Sequence, residues 1–268
     1  MPAFSGSVFG VLRVKNEERW IKRCLESLFA VCDVVVIFDD HSTDNTESIV
    51  RSLCGNRSVL ADGWLSRDKY RTIQYVRSPY AVSNEARDRD FLWATALIHG
   101  HPDWVLALDG DEALSRAALS YLCECPNLPE VGLLPIVYLW DGENQRRVDG
   151  IYGDAPDGYP KLRFPRLLYT KGYTFDQLKQ MKFKRTGRGP DLHCGSLPQL
   201  PVSRAMTCAL VAAPILHFGY VDPDLRRKKY EYYTSLDPGN RAEGEYKHII
   251  GEPDLHAPGP VETVLYEV

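Results

Sequence analysis

The chain has no apolar run approaching the roughly eighteen residues of a membrane-spanning helix, so no segment is expected to cross a bilayer. It carries no excess of positive charge. The net charge of −4 over 268 residues argues against a general nucleic-acid binder, whose footprint is basic. Its seven cysteines are odd in number and follow no regular framework, which fits a reducing cytoplasm better than secretion. Cys123-Glu124-Cys125 is C-x-C with no second pair at zinc spacing, so those thiols read as structural. No basic segment followed by a long apolar stretch opens the chain, and a signal peptide is not expected. Internal repeats and low-complexity tracts are missing too. What remains is an enzyme-sized chain, long enough to bury a large core, with one domain or a core plus a C-terminal extension.

The most informative segment that is present is Trp104-Val105-Leu106-Ala107-Leu108 followed at once by Asp109-Gly110-Asp111-Glu112. An apolar run ending in carboxylates reads as a buried strand that stops at an acidic rim. Two acids one residue apart on such a turn can hold a hard divalent ion, which keeps positions for phosphate oxygens and neutralises a leaving diphosphate. A plain acidic turn would look the same. Glu112 is expected to point away from Asp111 if strand alternation persists, and to matter less.

The first forty-six residues repeat the pattern. Val8–Val14 reads as a strand, and Trp20, Ile21, Cys24, Leu25 and Leu28 then recur at helical spacing. A second run, Val34–Phe38, ends in Asp39 and Asp40. Neither run alternates with polar residues, as expected of parallel strands covered on both faces. Strand, helix, strand with charged ends is a doubly wound α/β pattern, whose ligand crevice lies at the strand C-termini. Ser42, Thr43 and Asp44 are the candidate caps of a helix over Thr46–Leu53, and capping is the preferred reading of Ser42 and Thr43.

The segments RVKNEERWIKRCLESL, VVVIFDDHSTDNT and DWVLALDGDE, in that order and spacing, resemble the N-terminal signatures of family 2 glycosyltransferases with the GT-A fold. The resemblance is strong over about residues 7 to 115 and looser to about 220. It implies a mostly parallel sheet flanked by helices, with a GT-A domain over 1–220 (nucleotide half 1–115, acceptor half 116–220) and a C-terminal helix and extended tail over 221–268. It places Arg13, Lys15, Glu17, Asp40, Arg87 and Asp109 on the nucleotide, with Asp40 rather than Asp39 facing the base. Asp111, Asp109 and His217 are implied as ligands of Mg²⁺ or Mn²⁺. Arg13 and Lys15 stand where many members carry small or aromatic residues.

Ser83–Ile98 reads as a helix with a charged N-terminal part. Arg87 suits a phosphate or uracil carbonyl, or else pairs with neighbouring acids on a solvated face; Arg89 reads as the latter. Strands are expected over Val131–Trp140 and Lys161–Tyr169, and an irregular acceptor-side loop over 176–201. His217 lies inside the apolar run Ala212–Tyr220, where a lone histidine is either a core residue or, as the resemblance implies, a metal or diphosphate ligand. Leu225–Tyr233 reads as a basic, aromatic helix that closes over a diphosphate, sits against an anionic membrane, or presents a solvated face.

The expected function is metal-assisted, inverting transfer of a sugar from a UDP-sugar to an acceptor hydroxyl, with a glycan or lipid-linked glycan favoured as acceptor. The general base is expected at Asp191, beside His193, with Asp176 as the alternative. Two rivals are a nucleotidyltransferase and a non-catalytic nucleotide-sugar or glycan binder. The first normally needs a glycine-rich basic loop after the first strand, and Arg13-Val14-Lys15-Asn16-Glu17 has no glycine. The acidic turns argue against the second.

Overall fold

The computed structural model describes residues 6–53, 64–66, 72–125, 127–185, 194–200, 206–237, 246–251 and 255–256. Asp191 lies outside them. The chain opens with β1 (Val8–Val14), α1 (Ile21–Phe29), β2 (Val34–Asp39) and α2 (Thr46–Leu53), then β3 (Trp64–Ser66) and β4 (Thr72–Arg77). Next come α3 (Glu85–Ile98), β5 (Trp104–Asp109), β6 (Glu112–Leu114) and α4 (Arg116–Glu124). The second half adds β7 (Val131–Tyr138), β8 (Arg146–Arg147), β9 (Arg163–Tyr169), α5 (Phe175–Gln180), β10 (Cys208–Leu210), β11 (Ile215–His217), α6 (Pro223–Leu236) and β12 (Leu255–His256).

Among the described residues the main sheet runs β3-β4-β2-β1-β5-β9-β7-β11-β6, with β10 beside β7. Strands β4, β2, β1 and β5 are parallel, while β9 is antiparallel to both β5 and β7. The chain first builds outward from β1 through β2 to β4, then α3 carries it back to β5 on the other side of β1. The order reverses between β1 and β5, and a crevice opens at the carboxyl ends of strands at such a point. The expected mixed α/β, mostly parallel architecture is what the structure has.

Strand alternation sorts the core. Val8, Leu12 and Val14 of β1, Val35 and Ile37 of β2, and Leu106 and Leu108 of β5 pack with Ile21, Leu25 and Leu28 of α1, Val50 of α2 and Leu119 of α4. Phe9, Val11, Val36, Phe38, Val105 and Ala107 point the other way, onto Ala86, Leu92, Trp93 and Ala96 of α3 and Leu178 of α5. Trp93 Nε1 donates to the Leu178 carbonyl at 2.8 Å and ties α3 to α5. Both faces are covered, which is why these strands carry no polar alternation.

The sequence expectations missed β4, α4 and α5, and extended the 131–140 strand beyond its observed end. The Ser42 cap is corrected. Ser42 Oγ accepts from Asn16 N at 2.8 Å, and Asp44 Oδ1 takes the Thr46 amide at the start of α2. Thr46 Oγ1 accepts from Glu17 N and Asp44 Oδ2 from Glu18 N, so the loops after β1 and β2 are stitched together.

Leu25 is fully buried between α1 and the sheet, whereas Ile98 is 76% exposed. Leu25→Ala is expected to destabilise the protein by about 2–5 kcal/mol, and Ile98→Ala by no more than about 0.5 kcal/mol, in denaturant unfolding.

Candidate active site

Two groups of carboxylates stand at the carboxyl ends of the strands. In the first, alternation turns Asp39 and Asp40 to opposite sides. Asp39 is buried on the α1 side, where it accepts from Tyr75 Oη and from Ser42 N. Asp40 is buried on the α3 side and accepts on one oxygen, Oδ2, from Arg13 Nη2 (2.8 Å), Lys15 Nζ (3.2 Å) and Ser83 Oγ (2.7 Å). Among the described residues no donor takes its Oδ1. Arg13 also donates to Asp88 Oδ2 from Nε and Nη2, at 3.2 and 3.0 Å. Asp88 is wholly buried and receives Arg87 on its other oxygen, at 2.7 Å from Nη2. The Arg87 guanidinium lies over the Tyr80 ring at 3.8 Å. Arg13, Lys15 and Asp40 thus come together, and Arg87 joins them through Asp88, which the sequence reading overlooked.

The second group leaves β5. Asp109 accepts from Arg89 Nη2 at 2.9 Å and from Arg166 Nη2 at 3.1 Å. Burial opposes its charge, but the two guanidinium groups hold its carboxyl well below the usual range. Arg89 keeps the i,i+4 pair with Glu85 that its spacing suggested, yet it is buried and reaches across to Asp109, so the solvated-face expectation is corrected.

Glu112 does not turn idly away. It is buried, takes Arg166 Nη2 at 2.6 Å, and receives the Asp109 amide on its other oxygen at 2.9 Å. Burial pushes its carboxyl up to about 8, with Arg166 pulling it down and Asp109 and Asp111 pushing up. It pairs in register with His217 of β11, which pairs in turn with Tyr138 of β7, so the three share one face of the sheet.

Asp111 is buried beneath α6. Its Oδ2 takes Lys229 Nζ at 2.8 Å and faces His217 Nε2 at 3.4 Å. Burial raises its carboxyl, but Lys229 and His217 outweigh that and lower it. Burial lowers the His217 imidazole to about 4, against the pull of Asp111, so the ring is neutral at pH 7. A Cβ on Gly219 would lie 2.2 Å from Asp111 Oδ2, 2.7 Å from His217 Cε1 and 2.8 Å from Lys229 Nζ; only glycine admits this convergence. Glu17 packs against Gly110, and its carboxyl is raised by burial and by Asp111.

Of the three implied metal ligands, the structure brings Asp111 and His217 together. Asp109 is engaged by arginines instead, and among the described residues no three His, Cys, Asp or Glu side chains gather as a cage. Asp111 and a neutral imidazole still suit a divalent ion. Two ligands at about 2.1 Å set at a right angle lie about 3 Å apart, close to the 3.4 Å observed, and phosphate oxygens and water complete such a shell.

Asp176 lies elsewhere. The chain leaves β9 at Tyr169, paired with Trp104 at the start of β5. That is a strand's length (roughly 17 Å) from the acidic rim. Asp176 is 87% exposed and faces Lys179. The alternative base is therefore set aside: its position, beside the wrong end of β5, is far from the crevice.

This arrangement defines an α/β protein with a crevice of carboxylates, guanidinium groups and lysines at its topological switch point. Residues 11–125 match the family model described as Glycosyl transferase family 2. None of the curated proteins matches the chain closely enough to count as a relative. Among solved structures, residues 1–349 of S. aureus TarS in complex with UDP-GlcNAc are 16% identical, with a TM-score of 0.42 over 91% of this chain and 70% of that one. Glucosyl-3-phosphoglycerate synthase from Mycobacterium tuberculosis, in complex with Mn²⁺ and UDP-glucose, is 17% identical, with a TM-score of 0.31 over 50% of this chain and 44% of that one.

Arg166 is 4% exposed and bridges Asp109 and Glu112. Arg166→Met is expected to cost about 3–5 kcal/mol in denaturant unfolding, because it leaves buried Glu112 without its cation and Asp109 with Arg89 alone. The double variant with Glu112→Gln is expected to recover part of that loss.

Proposed function

We propose that the protein transfers a sugar from a nucleoside diphosphate donor, UDP-sugar foremost, to an acceptor hydroxyl with inversion at the anomeric carbon. The observation that carries the reading is the convergence of Asp111, His217 and Lys229 at the end of β5, within the crevice that the family 2 segment builds.

In this reading the uracil N3–H donates to Asp40, whose Oδ1 takes no donor among the described residues while Oδ2 anchors Arg13, Lys15 and Ser83. Arg13 and Asp88 brace that carboxylate, and Tyr80 and Arg87 border the same end. Asp111 and His217 would hold Mg²⁺ or Mn²⁺, which supplies charge neutralisation for the departing diphosphate. The acceptor oxygen forms a bond to the anomeric carbon as the bond from that carbon to the diphosphate oxygen breaks, and the hydroxyl proton passes to a carboxylate base. Asp191 is the base proposed, as the acid beside His193 in the acceptor-side window where the resemblance implies that the base lies. Among the described residues no helix is long and apolar enough to cross a membrane. A glycan or lipid-linked glycan is the acceptor class proposed, and a cytoplasmic location accompanies it.

Asp40→Ala is expected to weaken UDP binding about tenfold or more in titration calorimetry, since a lost buried hydrogen bond costs about 1–3 kcal/mol. Equal affinity would reject the base-recognition role.

A panel of nucleotide sugars, assayed for Mn²⁺-dependent turnover and for product anomeric configuration by NMR, tests the reaction. Asp111→Asn is expected to lower metal-dependent turnover by orders of magnitude while retaining the fold. Asp191→Asn is expected to bind UDP normally yet lose transfer, while Asp176→Asn keeps it. Full activity in EDTA would remove the metal from the scheme.

A further inference from the structure

The geometry points to Lys229 as a built-in counter-ion that holds the place of the divalent cation until the donor's diphosphate draws it away; this rests on the nucleotide-sugar reading. Lys229 Nζ and His217 Nε2 address the same atom, Asp111 Oδ2, at 2.8 and 3.4 Å. A divalent ion held by that oxygen and that imidazole would have the ammonium as its immediate neighbour, with like charge and no anion between them. Gly219 shows how little space is shared, since even a Cβ there would collide with all three groups. The ion and the ammonium therefore exclude one another while nothing else is bound.

The ammonium has somewhere to go. Lys229 sits on α6, and one turn further on Tyr232 lies 5.7 Å from the Lys15 ammonium that holds Asp40. The helix thus spans the crevice from the Asp111 group to the Asp40 group, over the space a nucleoside diphosphate would cross. Lys229 is itself three-quarters covered, and its stem can swing without moving the helix backbone. Arg226, on the same helix, cannot follow: it is buried against Trp140, with Asp141 as partner at 2.6 Å. Arg227 pairs with Asp224 in solvent. Lys229 alone of this basic run faces the acidic rim. A diphosphate takes over the ammonium and frees Asp111, so nucleotide and metal bind with positive linkage, each tightening the other by the same factor.

Free Mn²⁺ measured by electron paramagnetic resonance on the full chain tests this, with Lys229→Met, Lys229→Arg and the exposed-neighbour control Lys228→Met. Lys229→Met is expected to bind Mn²⁺ alone at least about tenfold more tightly than wild type, the other two like wild type. UDP, corrected for its own Mn²⁺ affinity, is expected to tighten Mn²⁺ binding more in wild type than in Lys229→Met. Mn²⁺ affinity in Lys229→Met equal to or weaker than wild type would overturn the exchange. Should that variant melt early, amine labelling of the wild type followed by peptide mass spectrometry decides. Saturating Mn²⁺ is expected to raise Lys229 reactivity, and unchanged reactivity would overturn the proposal. Absence of UDP binding in every variant would refute the donor reading itself, which the Mn²⁺-only titration distinguishes from failure of the exchange.

Discussion

The crevice depends on one electrostatic constraint: three carboxylates, Asp109, Asp111 and Glu112, leave a buried strand within four residues and must be held apart and compensated. Uncompensated charges so close in a low-dielectric setting would either take up protons or open the turn. Arg89 and Arg166 grip Asp109, Arg166 also grips Glu112, and Lys229 covers Asp111. Each cation comes from a different element: α3, β9 and α6. The acidic turn is therefore the point at which the two halves of the chain are coupled, and its shape is a property of the whole sheet rather than of a local loop.

That coupling explains why the antiparallel strand β9 stands beside β5. Its pairing places Arg166 near the carboxyl end of β5, from where one guanidinium reaches two acids. The β6-β11-β7 ladder then carries Glu112, His217 and Tyr138 across to the second half of the chain. The Asp40 group is built on the same plan with different parts. Asp88, wholly buried on α3, answers Arg13 and Arg87 and so keeps the guanidinium groups at the crevice edge rather than on Asp40 alone.

Helix α6 gives the crevice its cover. Its charges are sorted by the face on which they fall: Arg226 onto Trp140, Arg227 into solvent with Asp224, and Lys229 onto Asp111. A run of four adjacent cations thus has several unrelated duties. Tyr230 and Tyr233 of the same helix pack against the cluster of Trp140, Tyr220 and Tyr246, with Tyr233 stacked on Tyr246, while the Lys15 ammonium lies over Tyr232.

The sequence by itself determined the α/β alternation, the strands β1, β2 and β5, the helices over 46–53 and 85–98, and the opposite orientations of Asp39 and Asp40. Each follows from local period and from acids placed at the end of an apolar run, which the chain carries in consecutive residues. It also marked Asp111 and His217, one by its turn and the other by its apolar setting. Tertiary structure alone decided the partners. Arg89 looked like a solvated helix charge because i,i+4 spacing says nothing about a carboxylate twenty positions away. Arg166 sat in a strand with no local sign that its neighbour would be β5. Asp88, Glu112 and Lys229 acquired their roles only when sheet order brought α3, β9, β11 and α6 around the end of one strand, because compensation of buried charge is set by proximity in space and not by spacing along the chain.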